Sequence, residues 1–211
     1  MGERAAAGGG KWVDVAPERL ERWMENFGAR HGAYRELGLT LIAADGASAE
    51  LSPPPGVRAA ESVADLVRRA REPRRLGLLL ARKGAVAVGI TEGGELVASK
   101  ADTHYVQGRT AAGGWSQQRF ARRRDNQAKA AAADGAGIVG RILLPEVRRL
   151  AALVTGGDRS AIDMILAAPP LAPLATLRDG RVLDVPEPRH AVLVSAVAGA
   201  RAVTILVKEP G

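Results

Sequence analysis

Three consecutive segments of strand-forming residues constrain the fold most strongly. The segments Arg75–Arg82, Ala85–Thr91 and Glu95–Ala101 are rich in Leu, Val, Ile and Ala, and only the short turns Lys83-Gly84 and Glu92-Gly93-Gly94 separate them. Strands joined by turns this short pair antiparallel, because a parallel pair needs a crossover of a dozen or more residues. The sequence therefore predicts an antiparallel three-stranded meander.

Helical and strand patterns flank this meander on both sides. Before it, we expect a helix opened by Pro17, a strand over 39–44 and a helix over 61–71. After it, we expect a polar helix from Ser116 that glycines interrupt at 135–140, a helix over 142–150, a strand over 150–155, a helix over 160–166, a proline loop, a helix over 188–200 and a strand over 202–208. Helices around one sheet predict an α+β (α/β) fold.

Length and composition fit a single domain. The chain has 211 residues, of which 46% are hydrophobic, so it can bury a substantial core. It contains no cysteine and only three histidines, which excludes thiol nucleophiles and thiolate zinc sites and disfavours a histidine metal centre. We expect a flexible tail over residues 1–12 and one domain over 13–211. With no signal peptide and no apolar run of membrane-spanning length, we expect a soluble, cytoplasmic protein.

Positive charge is concentrated in one segment. The net charge of the whole chain is +7, and residues 109–129 alone carry six basic residues against one acidic residue, Asp125. On a helix, Arg119, Arg122, Arg123 and Asn126 would share one side, a pattern typical of a surface that follows a phosphate backbone. A basic face that is merely solvated, in a chain whose arginines reflect a GC-rich genome, is the simpler interpretation. The basic residues are Arg109, Arg119, Arg122, Arg123, Arg124 and Lys129.

A glycine-rich segment precedes the basic one and reads Gly113-Gly114-Trp115-Ser116-Gln117-Gln118. Paired glycines permit close approach of another molecule, and Trp115 could stack on a base. A helix beginning at this point would present free N–H groups to an anion. Glutamine does not titrate near neutral pH, but its amide can position a water molecule. The sequence thus predicts that this segment positions a water molecule for a reaction on a polyanionic ligand.

The segment from Gly113 to Gln127 resembles the signature of an actinobacterial, release-factor-like peptidyl-tRNA hydrolase family. Relatives of this family include the animal ankyrin-repeat and zinc-finger peptidyl-tRNA hydrolase. The family is similar to the central domain of eukaryotic and archaeal class-one release factors, which implies a ribonuclease H-like mixed sheet flanked by helices. Gly114-Trp115-Ser116-Gln117 fits the family's Gly-x-x-Gln loop, although the tripeptide Gly-Gly-Gln itself is absent.

The resemblance implies a codon-independent hydrolase that releases nascent chains from stalled large ribosomal subunits. Gln117 would be the catalytic glutamine, supported by Gly113, Gly114 and Ser116, and Gln118 is the alternative if the register is displaced by one residue. Arg109, Trp115 and the basic residues from Arg119 to Lys129 would contact RNA. The partners would be peptidyl-tRNA and 23S ribosomal RNA. We expect a monomer without metal or cofactor.

Two other functions follow from the same residues. The basic helix could hold structured RNA without hydrolysis. A nuclease that shortens the tRNA end would instead need converging carboxylates, for which Asp45, Glu95 and Asp102 are the strand-end candidates. The pattern Gly135-x-Gly137-x-x-Gly140 spells a dinucleotide-binding motif, but no strand clearly precedes it.

Overall fold

The computed structural model of the protein describes residues 3–6, 8–82, 84–103 and 116–210. Within them the chain forms two sheets, of six and five strands, and six α-helices. Two compact units result, one comprising Met1–Pro73 with Ala198–Gly211 and the other Arg74–Val197. The mixed α+β class is confirmed. The expectation of one sheet is wrong, because the meander pairs with a later strand and the strands before the meander form a sheet of their own.

The first unit is an antiparallel sheet of order β1-β2-β11-β5-β4-β3. Helices α1 and α2 pack on one of its faces, where Leu20, Leu41 and Leu66 are fully buried. Strand β1 lies in the segment expected to be a tail, and the division at residue 12 remains a prediction. Numbered along the chain, the elements are β1 (Glu3–Ala5), β2 (Lys11–Val15), α1 (Leu20–His31), β3 (Tyr34–Leu37), β4 (Thr40–Ala43), β5 (Ser48–Ser52), α2 (Val63–Arg71) and β11 (Val203–Lys208).

The second unit contains the meander. Its sheet has the order β10-β9-β6-β7-β8, with β6, β7 and β8 antiparallel and with β9 parallel to both β6 and β10. The predicted meander is therefore confirmed. The elements are β6 (Arg75–Arg82), β7 (Ala85–Glu92), β8 (Glu95–Thr103), α3 (Ser116–Leu143), β9 (Ala152–Gly157), α4 (Arg159–Leu166), α5 (Ala172–Ala175), β10 (Arg178–Leu183) and α6 (His190–Arg201), which runs on into the first unit.

Helix α3 continues through the glycines that were expected to interrupt it. A Cβ atom at Gly135 would lie only 3.0 Å from Ile165 Cδ1 and 3.2 Å from Val86 Cγ2. Gly135 therefore lets α3 approach α4 and the sheet closely, and helix packing offsets the low helix propensity of glycine. Gly135, Gly137 and Gly140 do not form a dinucleotide-binding loop, because all three lie inside this helix.

Other differences arise where tertiary pairing overrides local signals. Strands β3, β5 and β10 carry mixed polar residues and were not expected, but each takes its place through hydrogen bonds to a neighbouring strand. The segment expected to be a helix over 142–150 is the end of α3 followed by a 3-10 turn, Leu144–Arg149, which contains Pro145. The proline loop contains a 3-10 turn and α5. None of the helices in the described ranges is both long and apolar enough to cross a membrane.

A close backbone contact links β6, β9 and α4. Gly157, the last residue of β9, has a φ angle of 96°, and the following Asp158 N–H donates to the Ala81 carbonyl at 2.8 Å. A Cβ atom at position 157 would lie 2.4 Å from that carbonyl oxygen. Only glycine meets both constraints, so Gly157 sets the point at which β9 ends and α4 begins.

We expect Gly157→Ala to lower the free energy of unfolding by about 2–5 kcal/mol, because it adds left-handed strain to a steric clash. Gly137→Ala is the matched control, since Gly137 lies within α3 and a Cβ atom added there would meet no heavy atom within 4 Å. That change should stabilise the protein by about 0.5–1 kcal/mol. Urea unfolding followed by circular dichroism measures both. Equal effects at the two positions would contradict the role of Gly157.

Candidate nucleic-acid interface

The residues expected to contact RNA or to catalyse ester hydrolysis lie in the first half of α3 or before it. The backbone is helical from Ser116 onward, so Gln117, Gln118, Arg119, Arg122, Arg123 and Arg124 occupy its first three turns. Arg109, Gly113, Gly114 and Trp115 lie outside the described residues. Lys129 is exposed on the same helix. The predicted stripe of Arg119, Arg122, Arg123 and Asn126 thus has the helical backbone that its spacing requires.

The second half of α3 fixes the helix to the sheet. Ala132, Ile138, Val139 and Leu143 are buried in a cluster formed with α4 and the meander. These side chains follow the spacing of a helix face, which explains why a polar helix of 28 residues packs against the core. The residues expected to contact RNA all precede this buried stretch, so the anchoring and the basic segments occupy different halves of one helix.

The net charge lies entirely in the second unit. That unit holds 18 Lys and Arg against 11 Asp and Glu, whereas the first unit holds 12 of each. Several cations of the second unit are also neutralised by ion pairs, among them Arg75 with Glu92 and Arg178 with Asp163. Lys129, Arg141, Arg148 and Arg159 are exposed, and none has an ion-pair partner within the described ranges. Their charge remains available to an anionic ligand.

Two of the nuclease candidates, Glu95 and Asp102, are far apart within the second unit. Glu95 and Asp102 lie on the same strand, β8, seven residues or about 23 Å apart, whereas a two-metal centre needs metals about 4 Å apart. Among the described residues, no group of three or more His, Asp or Glu side chains could hold a metal ion. The described acids therefore offer no support for the nuclease reading.

Asp45 has a structural role in the first unit. Its Oδ1 accepts from the Ala47 N–H at 2.9 Å, and its Oδ2 lies 2.8 Å from Nδ1 of the buried His31. His31 Nε2 is in turn 3.7 Å from Glu209 Oε2. The Ala47 N–H and then the His31 ring hold the pKa of Asp45 below its ordinary value. Asp45 and Gly46 thus belong to the turn between β4 and β5, and the Asp45 carboxylate has His31 as a further partner.

An apolar groove of 280 Å³ lies beside the basic segment, and it was missed by sequence reasoning. Its walls come from the β6–β7 turn, one face of α3 and the start of α4, and they include Ala81, Ala85, Ala128, Ala131, Ala161 and Met164. We call this feature the alanine groove. The run of alanines from 130 to 133 was the available signal, but alanine is also the best helix former, so the run alone did not distinguish a groove from an ordinary helix.

Comparison with known families identifies a stretch that contains the whole second unit and most of β11. Residues 74–206 match the model of the Actinobacteria/chloroflexi VLRF1 release factors. The chain belongs to this family. The match contains the Gly-x-x-Gln segment, the whole of α3 and the alanine groove, whereas residues 1–73 lie outside it. Membership of the VLRF1 release factors gives the chain a role in translation.

Solved structures offer more distant likenesses. A structure described as an archaeal protein has 14% sequence identity and a TM-score of 0.41, with 74% of this chain and 48% of that chain covered. A crystal structure of the archaeal translation termination factor aRF1 has 15% sequence identity and a TM-score of 0.38, with 79% of this chain and 48% of that chain covered. The chain therefore spans about half the length of these two proteins. No curated protein matches it.

The Asp45 cluster generates a pH prediction. Because the pKa of Asp45 is lowered from 3.8 on folding, its contribution to stability is present above about pH 4 and is lost as pH falls through the lowered value. We expect Asp45→Asn to lower the melting temperature at pH 7 and to reduce the further loss of stability between pH 4 and pH 2. Glu36→Gln, at an exposed carboxylate on β3, is the control. Calorimetry across this range measures both, and parallel pH curves for Asp45→Asn and the unaltered chain would contradict the assignment.

Proposed function

We propose that this VLRF1 release factor is a peptidyl-tRNA hydrolase that acts without reading a codon and releases nascent chains from stalled large ribosomal subunits in the cytoplasm. The observation that carries the proposal is the family match, because it includes Gly114-Trp115-Ser116-Gln117 and the basic helix that follows. The concentration of net charge in the matched unit supports it independently. The partners we propose are peptidyl-tRNA and 23S ribosomal RNA, bound by one copy of the chain.

The order of elements supports a ribonuclease H-like arrangement of the second sheet. An antiparallel meander is followed by the long helix α3 and then by two strands, β9 and β10, that run parallel to β6. In this arrangement α3 follows directly on the segment that carries the glycines. The proposed catalytic residue Gln117 is the second residue of α3.

The proposed reaction breaks the ester bond between the nascent chain and the terminal ribose of the tRNA. The Gln117 amide and nearby backbone N–H groups hold one water molecule against the ester carbonyl and stabilise the oxyanion that forms. Glutamine does not accept the water proton, because its amide does not titrate. The proton passes to the leaving ribose oxygen, and the products are a free peptide carboxylate and a tRNA with an intact 3′ end. The neighbouring arginines position the tRNA through its phosphates.

We expect Gln117→Ala to reduce peptide release by about 10²-fold or more, because it removes the positioned amide. Release of labelled peptide from purified large subunits that carry peptidyl-tRNA measures the effect, and Gln118→Ala is the matched control. Binding of Gln117→Ala to the same complexes should stay within about twofold. If Gln118→Ala instead abolishes release, Gln118 is the working residue.

The tRNA product distinguishes the alternatives in the same experiment. Hydrolysis leaves a full-length tRNA that can be aminoacylated again, whereas a nuclease leaves a shortened one. Salt-sensitive binding with no release by the unaltered chain would leave an RNA-binding protein and overturn the catalytic proposal.

We also expect each of Arg122→Ala and Arg123→Ala to reduce the slope of log Kd against log salt concentration by about 0.7–0.9, the effect of one lost phosphate contact. Fluorescence anisotropy with labelled tRNA measures the slope. Arg35→Ala is the control, because Arg35 is exposed on β3 of the neutral unit. An equal change of slope in all three variants would contradict a specific role for α3.

A further inference from the structure

We propose that the alanine groove binds a nucleobase of an RNA strand that runs along α3 towards Gln117. This inference rests on the proposed function for the identity of the RNA, but the groove itself belongs entirely to described residues of the second unit. Its ligand class follows from the shape of the groove, its polar rim, the charge around it and its position on α3.

The shape of the groove suits one flat ring system. Ala81, Ala85, Ala128, Ala131 and Ala161 present only methyl groups, so the walls are smooth and apolar. The side chain of Met164, which is 37% exposed, contributes a polarisable thioether of the kind that packs well against rings. A volume of 280 Å³ lies just below the roughly 300–1,000 Å³ of small-molecule sites. The groove is therefore large enough for a base but not for a whole dinucleotide.

The polar groups at the rim of the groove suit the hydrogen-bonding edge of a base better than they suit a phosphate group. Asp158 Oδ1 accepts from the Ser160 N–H at 2.9 Å and from the Ala161 N–H at 3.4 Å, so the carboxylate already caps the start of α4. A phosphate at this point would meet that negative charge. The exocyclic amino group of a base is instead a suitable donor to the carboxylate, and the Gln127 amide can both donate and accept.

Arg82 is the cation among the lining residues, and Lys129 and Arg159 are sequence neighbours of lining residues. Lys129 is exposed beside the lining residue Ala128, and Arg159 is exposed between the lining residues Asp158 and Ser160. Neither cation has an ion-pair partner within the described ranges. Arg82, which lines the groove, donates through one guanidinium nitrogen to the Val185 carbonyl at 2.7 Å. An apolar slot lined by one guanidinium group is complementary to a nucleotide, whose base is flat and whose backbone is anionic.

The position of the groove on α3 connects it with the proposed catalytic residue. Gln117, Arg124 and Ala128 or Ala131 follow one another at intervals of three, four or seven residues and so share one face of this helix. Gln117 precedes Gln127 by ten residues and Ala131 by fourteen, which is about 15–21 Å along the axis. That distance corresponds to about four to six stacked nucleotides at ~3.4 Å each. A strand whose end reaches Gln117 can therefore place an earlier base in the groove.

The test uses a hairpin RNA with a single-stranded 3′ tail of six nucleotides, and a second RNA with the same backbone but abasic tail residues. Burial of one base against these apolar walls removes apolar surface from water, so the unaltered chain should bind the first RNA at least about fivefold more tightly. Ala131→Leu fills the groove and should remove this preference without changing affinity for the abasic RNA. Ala130→Leu adds the same side chain at an exposed position outside the groove and should keep the preference.

A crosslinking measurement on the unaltered chain makes the test independent of how well Ala131→Leu folds. With 4-thiouridine in the tail, crosslinks should map to peptides that contain Gln127 or Met164. The proposal is overturned if the unaltered chain binds both RNAs equally, if Ala131→Leu and Ala130→Leu keep the same preference, or if crosslinks map only elsewhere.

The outcome is separable from that of the proposed function. Gln117→Ala should retain the base preference, because Gln117 does not line the groove. If the chain releases peptide but shows no base preference, the proposal that the groove binds a base is overturned and the hydrolase proposal is retained. If the chain shows base preference but releases no peptide, the hydrolase proposal is overturned and the proposal that the groove binds a base is retained.

Discussion

The second unit depends on the burial of β6 on both of its faces. Residues from Leu76 to Ala81 include four leucines, each with no measurable exposure. A strand of this kind needs a neighbour at each edge and a cover on each face. Strands β7 and β9 supply the edges, α3 and α4 cover one face, and Leu193 of α6 reaches Gly89 of β7 on the other. The position of α3 is thus a consequence of the hydrophobic run in β6.

This arrangement divides α3 into segments with different tasks. From Ala132 onward its apolar side chains are part of the core, whereas the sequence before that point is basic and carries the proposed catalytic glutamine. Burial of the second segment contributes the free energy that holds the helix, so the first segment does not need apolar residues of its own. The first segment can therefore consist of basic and polar residues, which suit contact with RNA. The same division explains why the alanine groove lies where the two segments meet.

The sequence predicted most elements that have strong local signals. The meander, α1, α2, α4, α6 and β11 follow from periodicity and turn residues, and the candidate site followed from Gly113–Gln118 and the arginines after it. Strands β3, β5 and β10 carry weak patterns, and only their sheet partners specify them. The continuity of α3 depends on Ile165 and Val86 packing against Gly135, which no local signal reveals. The groove depends on three separate segments, so no single stretch of sequence could predict it.

The strand order of the first unit has a consequence for biosynthesis. Strand β11 lies between β2 and β5 and pairs with both, although nearly the whole chain separates it from β2. During translation the residues of β2 and β5 emerge early, yet neither has its central partner until residues 203–208 have been made. The five strands of the second sheet are complete well before that. Nascent domains usually fold from the N-terminus onward, but here the sheet that begins first is the last that can close.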